Sequence, residues 1–280
     1  MFIDTHAHLN FNTFKDNADE IIRRCLDGGV LMINIGTNYE TSKKAVETAE
    51  RYKKGVFAAI GLHPINFDTG LVKIKNDELE GSHFEKEFYY EKYKNLAKSN
   101  KVVAIGEIGL DYYWRPKTTR KKELFKQKQK ELLVQELRLA KELNLPVIFH
   151  CRMAHYDLID FLANHQELKP KKAVAHGFVG DLNQLRKYLN FGYYIGFNGI
   201  IFKKIEGINF EENIKHTPSD RILIETDCPY LSPPSFFEKK NNPLGVKCVV
   251  EEIARIKNVS PGEISEITSK NAEILFDLKT

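Results

Sequence analysis

The chain has 280 residues, enough to bury a large core, and carries 42 Lys and Arg against 38 Asp and Glu for a net charge of +4. That mildly basic balance excludes a histone-like polycation and is compatible with a phosphate-bearing substrate. No apolar run reaches the length of a membrane span and no basic leader opens the sequence, while Cys25, Cys151, Cys228 and Cys248 lack CxxC spacing, so the chain reads as one domain over 1–280, without a membrane partner, in the cytoplasm (or the nucleus of a eukaryote) with its thiols reduced.

The first apolar run is FIDTHAHL from Phe2. Period-two alternation along a strand predicts Asp4, His6 and His8 on one face and Ile3, Thr5, Ala7 and Leu9 on the other. A His-x-His pair taken alone fits either hydrogen-bonded core histidines or a divalent metal site. Asp16 or Asn17 caps a helix over 17–27 that stops at Gly28-Gly29. VLMINIG from Val30 is the second strand, and 39–53 is a helix with Ala45, Val46 and Ala49 on its inner side. VFAAIGLHP from Val56 is the third strand, ending at His63.

Residues 65–100 are long and charged for a connection, and a solvated surface helix is the reading preferred over an insertion in an active-site loop. VVAIGEIGLD from Val102 carries Glu107, and 120–143 forms the longest helical pattern. PVIFHCR from Pro146 ends in His150 and Arg152, AVAHGF from Ala173 in His176, YYIGFNG follows from Tyr193, and ILIETDCPYL from Ile222 ends in Asp227. Ser260, Pro261 and Glu263 announce a final helix as cap, first-turn proline and capping-box acid. His83, His155, His165 and His216 read as surface residues. Cys151 and Cys228 adjoin His150 and Asp227, but alternation turns them to the opposite face.

Eight strands with eight helical intervals predict an α/β fold of the (β/α)8 TIM-barrel kind. A doubly wound open sheet would want a glycine-rich phosphate loop after the first strand, and none is there. In such a barrel the site lies at the C-terminal ends of the strands, where His6, His8, His63, Glu107, His150, His176 and Asp227 all fall. Each alone has a structural explanation. Together they are costly to desolvate unless a cation sits among them. The ligand count suggests two divalent ions, one on His6, His8 and Asp227, the other on His150 and His176, with Glu107 bridging. The chemistry of such a pair is hydrolysis by an activated water.

In order along the chain, FIDTHAHL, GLHP, AIGEIGLDYY, PVIFHCR, AHGF and ETDCPYL resemble the motif series of the TatD-type metal-dependent deoxyribonucleases, which are amidohydrolase-like barrels. The match spans nearly the whole chain. The resemblance implies a metal-dependent deoxyribonuclease that cleaves DNA phosphodiester bonds as a 3′-5′ exonuclease on single strands or 3′ ends, a monomer being favoured. It implies that His6, His8 and Asp227 bind the first metal, that His150 and His176 bind the second and that Glu107 bridges. The same resemblance implies that Asp227 accepts the proton of the attacking water and that His63 and Arg152 contact phosphate. On the same resemblance Asp4 and Asp111 are read as orienting ligands and loops, and Tyr112, Tyr113 or Trp114 as stacking on a base or serving packing alone. The ions are Mg2+, Mn2+ or Zn2+.

Three places depart from the pattern. SPPSFFEKKNNPLG replaces an Arg-Gly and Asn-Glu-Pro continuation, with Lys239 or Lys240 as a substitute charge, Ile65 stands where histidine is common, and the 65–100 segment is inserted. The lysine-rich run 115–130 reads as a DNA-facing patch or a solvated helix face. Two other readings keep company with the nuclease: an amidase, lactonase or D-aminoacyl-tRNA deacylase on the same barrel, and a nucleic-acid-binding protein without catalysis.

Overall fold

Each of the eight predicted runs is a strand, and the strands hydrogen-bond side by side in sequence order, all parallel. A computed structural model describes residues 1–72, 84–238 and 240–279. The strands are β1 (Phe2–Ala7), β2 (Val30–Ile35), β3 (Val56–Ile60), β4 (Val102–Asp111), β5 (Val147–Arg152), β6 (Ala173–Ala175), β7 (Tyr194–Phe197) and β8 (Ile222–Ile224). The helices between and after them are α1 (Ala18–Asp27), α2 (Tyr39–Glu50), α3 (Tyr90–Leu96), α4 (Thr119–Leu143), α5 (His155–Asn164), α6 (Leu182–Asn190), α7 (Phe210–His216), α8 (Val246–Lys257) and α9 (Pro261–Phe276). The last strand returns to the first. Asp227 N–H donates to the His6 carbonyl at 2.8 Å and His8 N–H to the Cys228 carbonyl at 3.1 Å, which nearly closes the barrel.

Alternate side chains of the strands fill the barrel interior: Ile3, Ile33, Phe57, Val103, Ile148 and Leu223 pack together there. Leu275 and Phe276 at the end of α9 close it at the N-terminal ends of the strands. Each such buried side chain contributes about 1.5–3 kcal/mol. Ser260 accepts the Glu263 N–H at 3.1 Å, so the predicted cap of α9 is in place. Among the described residues no helix is long and apolar enough to cross a membrane.

The first strand departs from simple alternation. Asp4 pairs with Met32 but Ala7 with Asn34, so Thr5 and His6 together oppose Ile33. This bulge shifts the faces. Ile3 points into the barrel and Ala7 into the helix layer, and Asp4 is separated from His6 and His8. Asp4 instead braces the seam, accepting the Thr226 N–H at 2.9 Å and the Thr226 hydroxyl at 2.5 Å.

Other expectations change as well. His155 is buried, with Tyr188 Oη 3.0 Å and the Val179 carbonyl 3.1 Å from its ring nitrogens, and burial pushes its pKa down to about 4. His165 is half-buried against Phe161, His216 is exposed, and His83 lies outside the described residues. Within 65–100 the described helix is only α3, while Phe67 bridges to Glu85, whose carboxylate accepts the first N–H of α2. Residues 67–72 and Phe84 also line a cavity of about 490 Å3 together with Asp111, Trp114 and Phe125, so these described residues of the insertion lie beside the loop that follows β4. Lys240 donates to Thr13 and is not free to replace an arginine, and Lys239 lies outside the described residues.

Candidate metal centre

A second bulge sets the centre of the site. Ile105 pairs with Val147 and Ile108 with Phe149, so Gly106 and Glu107 oppose Ile148 alone and the Glu107 carboxylate is aimed among the histidines. Gly109 then brings β4 against β5: a Cβ there would lie 2.0 Å from the His150 carbonyl oxygen. On the neighbouring strand, Glu136 of α4 accepts the Leu62 N–H at 2.9 Å and holds the stretch that presents His63.

Glu107 touches four imidazoles. Its Oε1 lies 2.7 Å from His150 Nδ1, 3.5 Å from His176 Nε2 and 3.6 Å from His63 Nε2, and its Oε2 is 3.3 Å from His6 Nε2. Asp227 completes the cluster, with Oδ1 3.3 Å from His8 Nε2 and 3.9 Å from His6 Nε2. Asp227 is held in the left-handed region at φ 55°, a conformation that aspartate and asparagine tolerate better than most residues.

Contacts at the far side of three of the rings set which nitrogen has a free lone pair. His8 Nδ1 donates to the Ile35 carbonyl at 3.0 Å, His176 Nδ1 faces Glu225 Oε1 at 2.8 Å, and His150 Nε2 donates to Asp111 Oδ2 at 3.0 Å. The remaining nitrogen of each ring points into the cluster. His6 is fully buried and stacks on His176 at 3.5 Å, yet among the described residues neither of its ring nitrogens has a hydrogen-bond partner. A buried imidazole with two idle nitrogens is costly, and a cation on the nitrogen that faces Glu107 and Asp227 would offset part of that cost. Groups of three with ligand atoms within 4.8 Å of one another are His6, His8 and Glu107, then His6, His176 and Asp227, then His63, Glu107 and His150. The donor set thus fits divalent cations. His63 differs in one respect: its Nδ1 accepts the Ile65 N–H at 2.9 Å, which leaves Nε2 as the protonated nitrogen of the neutral ring, a donor suited to an oxygen.

The charges are consistent with this arrangement. Burial penalises the Glu107 carboxylate, but His63, His176, His6 and His150 together hold its pKa well below the usual range. Despite burial, Asp111 and Glu107 raise His150 to about 9, and Glu225 and Glu107 raise His176 to about 10. Burial and the neighbouring charged rings lower His63, to about 3, and His6. In the metal-stripped protein at neutral pH, His150 and His176 therefore hold protons, which a cation bound to these rings would displace. Metal loading at pH 7 is expected to release about two protons, and affinity to rise with pH until about pH 10, where the last of the two rings has lost its proton. Calorimetry of metal binding in buffers of different ionisation enthalpy reads that number, and a value of zero would contradict the assignment.

Glu225 carries a role that sequence reasoning misses, although it stands two residues before Asp227 in ILIETDCPYL. It is buried, accepts the Gly177 N–H at 2.6 Å and the Asn198 amide at 3.3 Å, and orients His176. Gly196 makes room for it, since a Cβ there would lie 2.4 Å from Glu225 Oε2. Glu225→Gln is expected to weaken metal affinity and lower kcat by roughly 10–100-fold, with the folded state retained. Metal titration and steady-state kinetics test this; unchanged affinity would show that His176 needs no such support.

At the rim, exposed Arg152 lies with its guanidinium 3.6 Å from the Tyr113 ring centre. Tyr112 is buried against Phe125 and cannot stack on a ligand, and Trp114 is half-buried beside Tyr113. Of the eight large apolar side chains exposed among the described residues, Tyr113, Met153, Tyr156, Tyr230 and Phe237 all lie beyond the C-terminal ends of β4, β5 and β8, around the mouth. In the lysine-rich run, Lys126 and Lys130 pair with Asp157 and Lys128 bonds the Thr69 carbonyl, whereas the turns before them are exposed.

A family model described as TatD related DNase matches residues 3–277. YabD of Bacillus subtilis, an uncharacterized metal-dependent hydrolase, is 35% identical over 99% of both chains. The 3′-5′ ssDNA/RNA exonuclease TatD of Cronobacter sakazakii is 31% identical over 98% of this chain and 97% of that protein. The crystal structure of YJJV, a TatD homologue of Escherichia coli K12, superposes with a TM-score of 0.81 at 30% identity, covering 99% of this chain and 98% of the other.

Proposed function

Because the chain belongs to the TatD related DNase family and is a metal-dependent hydrolase, we propose that it removes nucleotides stepwise from the 3′ end of single-stranded DNA at a centre holding two divalent cations. The observation that carries this reading is the Glu107 carboxylate set among His6, His63, His150 and His176, with Asp227 beside His8. His6, His8 and Asp227 would hold one ion and His150 and His176 the other, with Glu107 between them. Imidazole-rich ligation suits Zn2+ or Mn2+, while Mg2+ prefers oxygen donors. Bound cations supply a more acidic water and neutralise charge on the scissile phosphate.

The chain's own residues do the rest. Asp227 is ionised at neutral pH, since despite its burial the His8, His176 and His6 rings hold its pKa below the usual carboxylate range, and it accepts the proton of the attacking water. His63 donates from Nε2 to a non-bridging phosphate oxygen, and Arg152 offers two parallel N–H groups to the same phosphate or the next. Asp111 and Glu225 keep the His150 and His176 rings in their tautomers. Unstacked bases find aromatic partners in the exposed rim side chains, which a duplex keeps out of reach. TatD of Cronobacter sakazakii is named for both single-stranded DNA and RNA, so RNA is a second polymer to test.

The test is hydrolysis of matched single-stranded and blunt duplex DNA by the metal-loaded protein. The expected result is at least a tenfold (about 1.4 kcal/mol) preference for the single strand. Equal rates, or cleavage only of ester or amide substrates, would overturn it.

A further inference from the structure

The opposite end of the barrel carries a second charged concavity. A groove of about 1050 Å3 opens among the N-terminal ends of β3, β4 and β5 and the end of α9, with Phe57, Val103, Leu275 and Phe276 in its floor. Seven lysines line it: Lys53, Lys101, Lys141, Lys169, Lys171, Lys172 and Lys279, against Glu167 and Asp277 as the acidic lining residues. Seven cations less two anions give the groove +5, more than the +4 of the whole chain. These lysines come from five separate stretches of sequence and are brought together only by the fold. By contrast, Lys94, Lys126, Lys130 and Lys215 elsewhere on the surface are matched with carboxylates. Among the described residues, none of the seven lies within 4.0 Å of a carboxylate oxygen.

Part of this charge serves the fold. The carbonyl ends of helices in a β/α barrel collect at this end and attract cations. Lys101 accordingly donates to the Tyr52 and Lys53 carbonyls, Lys141 to the Glu167 carbonyl and Lys172 to the Ile274 carbonyl. Among the described residues Lys53, Lys171 and Lys279 hold no such bond and are exposed, and Lys169 lies 5.1 Å over the Phe191 ring. Four ammonium groups beyond those needed at the helix ends repel one another across the groove unless an anion lies there.

We propose that this groove is a second, non-catalytic site for the phosphate backbone of a single-stranded nucleic acid, holding the body of a long strand whose end is processed at a barrel mouth. The inference rests on the nucleic-acid reading of the catalytic site, since charge complementarity alone asks only for a polyanion. Lysine suits such a role because, as a point charge, it neutralises phosphates without reading base sequence.

The test uses the metal-stripped full-length protein, so that hydrolysis is absent, and a fluorescent oligothymidylate of about 30 nucleotides titrated at several salt concentrations. The triple variant Lys53→Gln, Lys171→Gln, Lys279→Gln is expected to bind at least tenfold more weakly. Its slope of log K against log salt is expected to be shallower by roughly 2, at about 0.7 per lost phosphate contact on a single strand. A photoreactive oligonucleotide is expected to crosslink to peptides containing residues 166–172 and 275–279. Unchanged affinity and slope, or crosslinks confined to the mouth, overturn the proposal. Displacement of the oligonucleotide by polyglutamate at equal charge also overturns it, in favour of an acidic protein partner. If the groove binds DNA while the metal-loaded protein hydrolyses none, the proposed nuclease reaction falls and the groove stands. Hydrolysis with no loss of binding in the variant gives the reverse.

Discussion

Glu107→Gln is expected to lower the single-turnover rate of DNA hydrolysis by about 10⁴-fold or more, equivalent to about 5.5 kcal/mol. The substitution keeps the size of the side chain and removes only its charge and one acceptor oxygen. That charge is what the His6, His63, His150 and His176 rings share, at 2.7–3.6 Å. Without it, the raised pKa values of His150 and His176 fall, and a cation loses the anionic donor at the middle of the cluster. Bound metal per chain is expected to drop together with activity. The measurement is single-turnover kinetics on labelled DNA beside elemental analysis of the dialysed variant. Activity within tenfold of the parent, or a full metal complement, would show that the carboxylate only fills space.

The second large effect is at Asp227. Asp227→Asn is expected to reduce kcat by roughly 10²–10⁴-fold while the KM for DNA changes by less than about threefold. Asparagine tolerates the left-handed conformation at φ 55°, so the loop after β8 keeps its path and the loss comes from the missing carboxylate charge, as proton acceptor and as proposed metal ligand. The acid limb of the pH–kcat profile offers a further readout. Protonation of Asp227 would set it in the parent, and the variant is expected to lose that limb. An equal fall in binding and turnover, with the limb intact, would place the base elsewhere.

Much of the fold is legible because a buried parallel strand leaves a plain mark: β-branched runs from Val30, Val56, Val102 and Pro146 need no tertiary information. The candidate ligands are legible for a related reason. Histidines and acids at the ends of such runs have no place in a core, and the barrel topology brings strand ends together. What alternation does not supply are the bulges at Thr5–His6 and Gly106–Glu107, because one extra residue reverses every face beyond it. Alternation consequently places Asp4 on the face of His6 and His8, although it braces the seam at Thr226.

Glu225 is hidden by its neighbour Asp227, and its partner His176 lies almost fifty positions earlier in the chain. His155 does carry a signal: with Leu158, Ile159 and Leu162 it forms the i, i+3, i+4, i+7 stripe that α5 buries. The basic groove leaves no mark at all, since its lysines are scattered from Lys53 to Lys279.

Under the proposed reading, this barrel cuts DNA from the 3′ end at its cluster of histidines and carboxylates once metal is bound. The most direct measurement is a time course of hydrolysis on a single strand labelled at the 3′ end or at the 5′ end, using metal-stripped protein before and after reloading with Mg2+, Mn2+ or Zn2+. The stripped protein is expected to cleave nothing. After reloading, a ladder of progressively shorter 5′-labelled products and immediate release of the 3′ label as mononucleotide are expected. Intact DNA under every metal, or release of the 5′ label first, would contradict it.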